Sequence, residues 1–155
     1  MKVLMLNGSC NPKGCTYTAL TEVGKTLTSA GIDYEIVQLD GDPVRDCIGC
    51  NQCSKSGCVF TDDGVNDFIA KARQADGFVF GTPVYYAHPS GRVLSFLDRV
   101  FYAGGSAFAG KPGAAVASAR RRFSDASASS MPPMIWLDTR KPLGVRCQRP
   151  SSSTA

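Results

Sequence analysis

Four cysteines, Cys47, Cys50, Cys53 and Cys58, fall within twelve residues of one another. Spacings of two, two and four residues let neighbouring sulfurs turn toward one metal centre, and four thiolates make up a [4Fe–4S] ligand set. Gly49 and Gly57 ease the tight turns this needs. The same ligands suit a zinc ion, and a loop of reduced thiols without metal is a third reading. A second stretch, Asn7-Gly8-Ser9-Cys10-Asn11-Pro12-Lys13-Gly14-Cys15-Thr16, is small, polar and rich in hydrogen-bonding groups. Its chemistry is anion binding. Glycines let backbone N–H groups approach closely, and Ser9, Asn11, Thr16 and Thr18 offer side-chain donors.

The elements around this stretch favour that reading. Residues 2–6 are a nearly all-apolar run of strand length, and residues 17–30 carry apolar positions at helical spacing. A buried strand therefore turns into a helix whose first N–H groups lack intrahelical partners and carry partial positive charge. The turn is not a P-loop: five residues separate Gly8 from Gly14, and Cys15 stands where that motif needs Lys. It is not the dinucleotide fingerprint either, because Cys10 occupies the second glycine position. Two readings are left: a loop that holds a terminal phosphate through amides and hydroxyls, similar to the way flavodoxin-like proteins hold the phosphate of FMN, or an ordinary strand-to-helix turn with glycine for its geometry.

Further along, residues 34–39 alternate like a strand near a sheet edge, and residues 62–75 read as a helix capped by Asp62 or Asp63. Residues 77–81 form a short, buried strand, followed by the loop of residues 82–91. A helix over residues 93–102 and a strand of small residues over 114–119 complete the pattern. Alternating strands and helices predict an α/β fold, a doubly wound parallel sheet with helices on both faces. Ligands bind such sheets at the carboxyl ends of the strands.

Length and charge bound the rest. The 155 residues suit one domain, residues 1–121, and the 43% apolar content suffices for a core. Residues 1–119 carry ten basic and eleven acidic side chains, whereas residues 120–155 carry seven and two. The basic excess thus sits in the tail and gives the domain no nucleic-acid signature. No apolar run reaches the roughly 20 residues of a membrane span, and no signal peptide precedes the first strand. A cytoplasmic location with reduced cysteines is expected. Residues 122–155 are rich in Ser, Arg and Pro and are read as an irregular, disordered or aberrant tail. The final strand and helix expected of the fold are missing from the pattern.

Taken together, residues 7–9, 14–18, 82–86, 95–99 and 108–115 resemble the NAD(P)H-dependent FMN reductases of the flavodoxin-like fold. That group includes the multimeric flavodoxin type and the iron–sulfur flavoproteins, whose compact cysteine motif the set from Cys47 to Cys58 resembles. The resemblance covers about residues 1–121. It implies FMN phosphate contacts at Ser9, Asn11, Cys15, Thr16 and Thr18. It implies that Pro83, Val84, Tyr85 and Tyr86 line the isoalloxazine, and that Ser118, Arg120 and Arg121 flank its pyrimidine side. It also implies NAD(P)H as co-substrate, a small-molecule electron acceptor such as a quinone or flavin, and a homodimer or homotetramer. No catalytic side chain is required, because flavin carries the hydride chemistry. An FMN electron carrier without NAD(P)H turnover is the alternative.

Overall fold

The structure, a computed structural model, describes residues 1–39, 41–53, 57–86 and 88–119. Arg120, Arg121 and the tail of residues 122–155 lie outside the described residues. In chain order the elements are β1 (Lys2–Asn7), α1 (Cys15–Ser29), β2 (Asp33–Gln38), α2 (Val65–Gln74), β3 (Gly77–Val84), α3 (Gly91–Gly104) and β4 (Gly113–Ala119), with one 3-10 turn at Gly105–Ala107. All strand pairs are parallel, in the order β2-β1-β3-β4. The α/β sheet expected from the sequence is therefore the fold.

Strand alternation divides the core in two. Leu4, Leu6, Phe78 and Phe80 point to the face covered by α2 and α3. Met5, Val79 and Val116 point to the other face, where Leu20 of α1 meets them. The first layer is aromatic: Phe68 meets Phe96 edge-on at 5.4 Å, and the Phe78 and Phe108 centroids lie 4.6 Å apart. On the α1 face, Gly24 lets the helix settle on the Tyr34 ring; a Cβ there would come within 2.5 Å of the ring carbon Cζ.

Two boundaries differ from the sequence expectation. Strand β3 runs on through Thr82, Pro83 and Val84, which the sequence assigns to the following loop. Pro83 is tolerated because the strand is ending there. Helix α2 starts at Val65 behind Gly64 in the left-handed region (φ +74°), with no side-chain cap. Asp63 is instead engaged by Arg99, and Asp62 pairs with Arg45. An ion pair to a buried guanidinium outcompetes a local cap.

Candidate functional site

Between β1 and β3 the chain changes direction: it goes from β1 outward to β2, then crosses to β3 on the opposite side. Crevices form at such a point, outside the carboxyl ends of the strands. In the sheet register Asn7 faces Gly81, and Pro83 faces Ser118. The ends of β1, β3 and β4 thus present their loops side by side.

The first loop is built by its own polar groups. The Ser9 N–H donates to Asn7 Oδ1 (3.2 Å), the Asn11 N–H to Ser9 Oγ (3.1 Å) and the Lys13 N–H to Asn11 Oδ1 (3.1 Å). Gln38 clamps it from β2: its Nε2 donates to the Ser9 carbonyl (2.6 Å), and its Oε1 accepts from Asn7 Nδ2 (2.6 Å). The Gly8 N–H donates to the Gly81 carbonyl at 2.8 Å. A Cβ on Gly8 would stand 1.9 Å from Val93 Cγ2, so only glycine lets the loop lie this close to α3.

The loop delivers the chain into α1 at Gly14, which provides no side-chain cap. Helix geometry leaves the Cys15, Thr16 and Tyr17 amides without intrahelical acceptors, whereas the Thr18 N–H reaches the Gly14 carbonyl (3.0 Å). No acidic residue occupies the first turn. Helix α3 is different: Ser90 caps it by accepting from the Val93 N–H. An uncapped helix end behind a close-packed glycine loop has the donor chemistry to accept an anionic group.

The side chains assigned to the phosphate divide by position. Ser9 is buried, whereas Asn11 and Cys15 are exposed. Thr18 Oγ1 donates to the Gly14 carbonyl at 3.2 Å. Thr16 is buried, and its hydroxyl shares a 2.7 Å hydrogen bond with that of Ser118, tying the first loop to the end of β4. At the second loop, Pro83 is buried and Val84 half-buried, while Tyr85 and Tyr86 are 68% and 85% exposed. Cys10 Sγ lies 3.4 Å from the Tyr85 hydroxyl and joins the two loops. That hydrogen bond, aided by partial burial, raises the Tyr85 pKa. Exposed His88 has its Nδ1 2.6 Å from the Pro89 carbonyl oxygen. Thr82 and Ser90, which the sequence reading passed over, brace this loop: the Ser90 N–H donates to Thr82 Oγ1 (3.1 Å).

The four cysteines do share one cleft, together with Ile48, Val59, Phe60, Arg99 and Tyr102. Partial desolvation, then the neighbouring Cys58, Cys50 and Cys47 thiols, push the Cys53 thiol up. The donor chemistry fits a soft metal: among the described residues, four thiols and no carboxylate line the cleft. Among the described residues, no three His, Cys, Asp or Glu converge on one ion position. Sequence reasoning misses Arg99 and Asn66, which fix this cleft, and reads Asp63, the partner of Arg99, only as a helix cap.

A four-stranded parallel sheet of order β2-β1-β3-β4 with helices on both faces defines a flavodoxin-like α/β protein. The chain belongs to the NADPH-dependent FMN reductase family, whose sequence profile matches residues 1–142. It is 35% identical over 100 residues to an iron–sulfur flavoprotein of Methanocaldococcus jannaschii, covering 64% of this chain and 51% of that protein. An iron–sulfur flavoprotein of Archaeoglobus fulgidus is 33% identical over 99 residues, covering 64% and 48%. The chain thus spans about half the length of these relatives. The NAD(P)H:quinone oxidoreductase from Methanothermobacter marburgensis shares the fold with a TM-score of 0.69 at 18% identity, covering 93% of this chain and 86% of that one.

Proposed function

We propose that this chain is an FMN-dependent NAD(P)H oxidoreductase that passes electrons from a nicotinamide to a quinone, a free flavin or a similar small acceptor. One observation carries the reading: the uncapped start of α1 behind the residue 8–14 loop, next to an exposed tyrosine pair at the sheet crossover. The family match supports it. FMN, when bound, supplies the hydride chemistry.

The residues of the chain bind and orient. Ser9 and Asn11 hold the loop in shape, and the first-turn amides of Cys15 and Thr16 face the phosphate, with Thr18 at the rim. Pro83 and Val84 present backbone to the ring edge, and Tyr85 and Tyr86 cover a ring face with their hydroxyls in water. Ser118, held by Thr16, faces the pyrimidine side, where donors or a cation stabilise added negative charge; the resemblance assigns Arg120, outside the described residues, to the same role. Cys47, Cys50, Cys53 and Cys58 are proposed to take a [4Fe–4S] cluster, supported by their shared cleft and by the names of the relatives. A homodimer or homotetramer belongs to the same reading.

Incubation with excess FMN followed by desalting tests the flavin. The expected result is a yellow protein with a raised melting temperature; a colourless protein with an unmoved transition overturns the reading. The thiol cleft favours a second function, an electron carrier serving a protein partner. NADPH oxidation in the presence of a quinone separates the two, because a carrier binds FMN but leaves NADPH unconsumed.

A further inference from the structure

Arg99 is the largest fully buried side chain of the protein's described residues, 1% exposed, yet it ends in the thiol cleft. All five of its N–H donors are used. Nη1 donates to Asp63 Oδ2 and to the Arg45 carbonyl (3.3 Å), and Nη2 donates to Asp63 Oδ1 (3.1 Å) and the Phe60 carbonyl (3.4 Å). The fifth, Nε–H, donates to Cys58 Sγ at 3.3 Å. The Phe60 ring lies 5.0 Å from the guanidinium carbon. The cation is therefore locked in orientation, and its one remaining N–H is spent on a cysteine sulfur.

The backbone of Cys58 is locked as well. Asn66 on α2 accepts the Cys58 N–H through Oδ1 (2.8 Å) and donates Nδ2 to the carbonyls of Cys58 (2.9 Å) and Phe60 (3.2 Å). Gly57 permits this at φ +108°, and a Cβ there would meet Asn66 Oδ1 at 2.3 Å. The other three thiols are held differently. Among the described residues no side chain donates to the sulfurs of Cys47, Cys50 or Cys53, and Cys47 and Cys53 are exposed. Among the described residues, their segment is tied to α3 only through residues that precede Cys47, by Ser95 to Asp46, by Arg99 to the Arg45 carbonyl (3.3 Å) and by Arg92 to the Asp42 carbonyl (3.1 Å).

We propose that Arg99 is a positioning residue that makes Cys58 the fixed donor of the thiol set, against which the segment bearing Cys47, Cys50 and Cys53 closes on a metal occupant. This rests on the metal-binding part of the reading above. It explains why four thiols share a cleft without three of them converging on one point: one is preset, and the other three adapt. Outer-shell partners of this kind commonly change metal affinity by about 10- to 100-fold.

Cobalt(II) added to the reduced, metal-free full chain tests it, because thiolate-to-cobalt charge-transfer absorption scales with the number of thiolates bound. Wild type is expected to give a four-thiolate band. Arg99→Lys keeps a cation for Asp63 but loses the Nε–H, so its band should fall to the three-thiolate level of Cys58→Ser, with affinity at least about tenfold weaker. A four-thiolate band and wild-type affinity in Arg99→Lys overturn the positioning role alone. A wild type without any band overturns this inference; the cluster reading falls separately, if anaerobic reconstitution with iron and sulfide also leaves no broad absorption near about 400 nm.

Because Arg99→Lys risks the fold, a second set leaves Arg99 untouched. Serine is placed singly at each cysteine, and affinity for cobalt alone is measured. A preset donor predicts a loss at Cys58→Ser about tenfold larger than at Cys47→Ser. Equal losses at all four positions overturn the proposal.

Discussion

At the scale of single residues, close approach sets the strongest constraints. Gly8 is the clearest case, since any Cβ would drive into Val93 and would also lie 2.9 Å from the Gly81 carbonyl oxygen. Gly8→Ala is expected to cost about 1–3 kcal/mol of stability in a denaturant titration. It should also weaken FMN binding by about tenfold or more in a fluorescence titration, because the loop must move off α3. Wild-type stability and affinity would show that the loop yields freely. A second residue, Glu35, links three elements. Hydrogen bonds from Lys2 first, then Lys71, hold its carboxyl below the ordinary value of 4.5. A depressed carboxylate contributes stability above its unfolded pKa and loses it as pH falls through the folded value. Wild type should therefore melt above Glu35→Gln at neutral pH, by less than about 1 kcal/mol given the partial exposure, and the two curves should converge as pH drops below 4.5. A constant gap across that range would mean that charge is not the cause.

At the scale of elements, the two ends of the crevice are built on opposite principles. Helix α3 is finished by its own serine cap, whereas helix α1 starts without a side-chain cap or an acidic first turn, which suits it to the proposed phosphate contact. Cys15→Asp separates these roles. A carboxylate in the first turn should stabilise the flavin-free protein by about 0.3–1 kcal/mol. It should at the same time repel the phosphate and weaken FMN binding, whereas Cys15→Ser leaves both nearly unchanged, since only the backbone N–H is used. Unaltered FMN affinity in Cys15→Asp would place the phosphate elsewhere. The existence of both helices was legible in their apolar spacing. The start of α2 was not: the tertiary demand of Arg99 for Asp63 overrode a local capping preference. The end of β3 was also hidden, because Pro83 signals a loop locally while the β4 register continues to Val84.

At the scale of the molecule, the aromatic layer of Phe68, Phe78, Phe96 and Phe108 carries much of the fold. Phe108→Ala should cost about 3–5 kcal/mol. That is a large share of the roughly 5–15 kcal/mol of a typical domain, so flavin-free Phe108→Ala should lose its cooperative melt. FMN at about 100 times its dissociation constant adds about 2.7 kcal/mol by mass action and should restore part of that transition. A variant melting like wild type would mean that the layer relaxes around the gap. The same linkage predicts a melting temperature of wild type that climbs with FMN concentration.

The succession of strands and helices along the chain, the glycine-bearing corner between β1 and α1 and the dense run of thiols follow from the chain itself, since apolar period, glycine placement and cysteine spacing are local properties. Which of those groups meet was settled only by tertiary packing. The pairing of Thr16 with Ser118, the approach of Cys10 to Tyr85 and the guanidinium of Arg99 behind Cys58 span 102, 75 and 41 positions of sequence. No local rule reaches that far: these contacts follow from the strand order β2-β1-β3-β4 and from α3 lying across the cysteine segment, and both are decided by how the two faces of the sheet are buried.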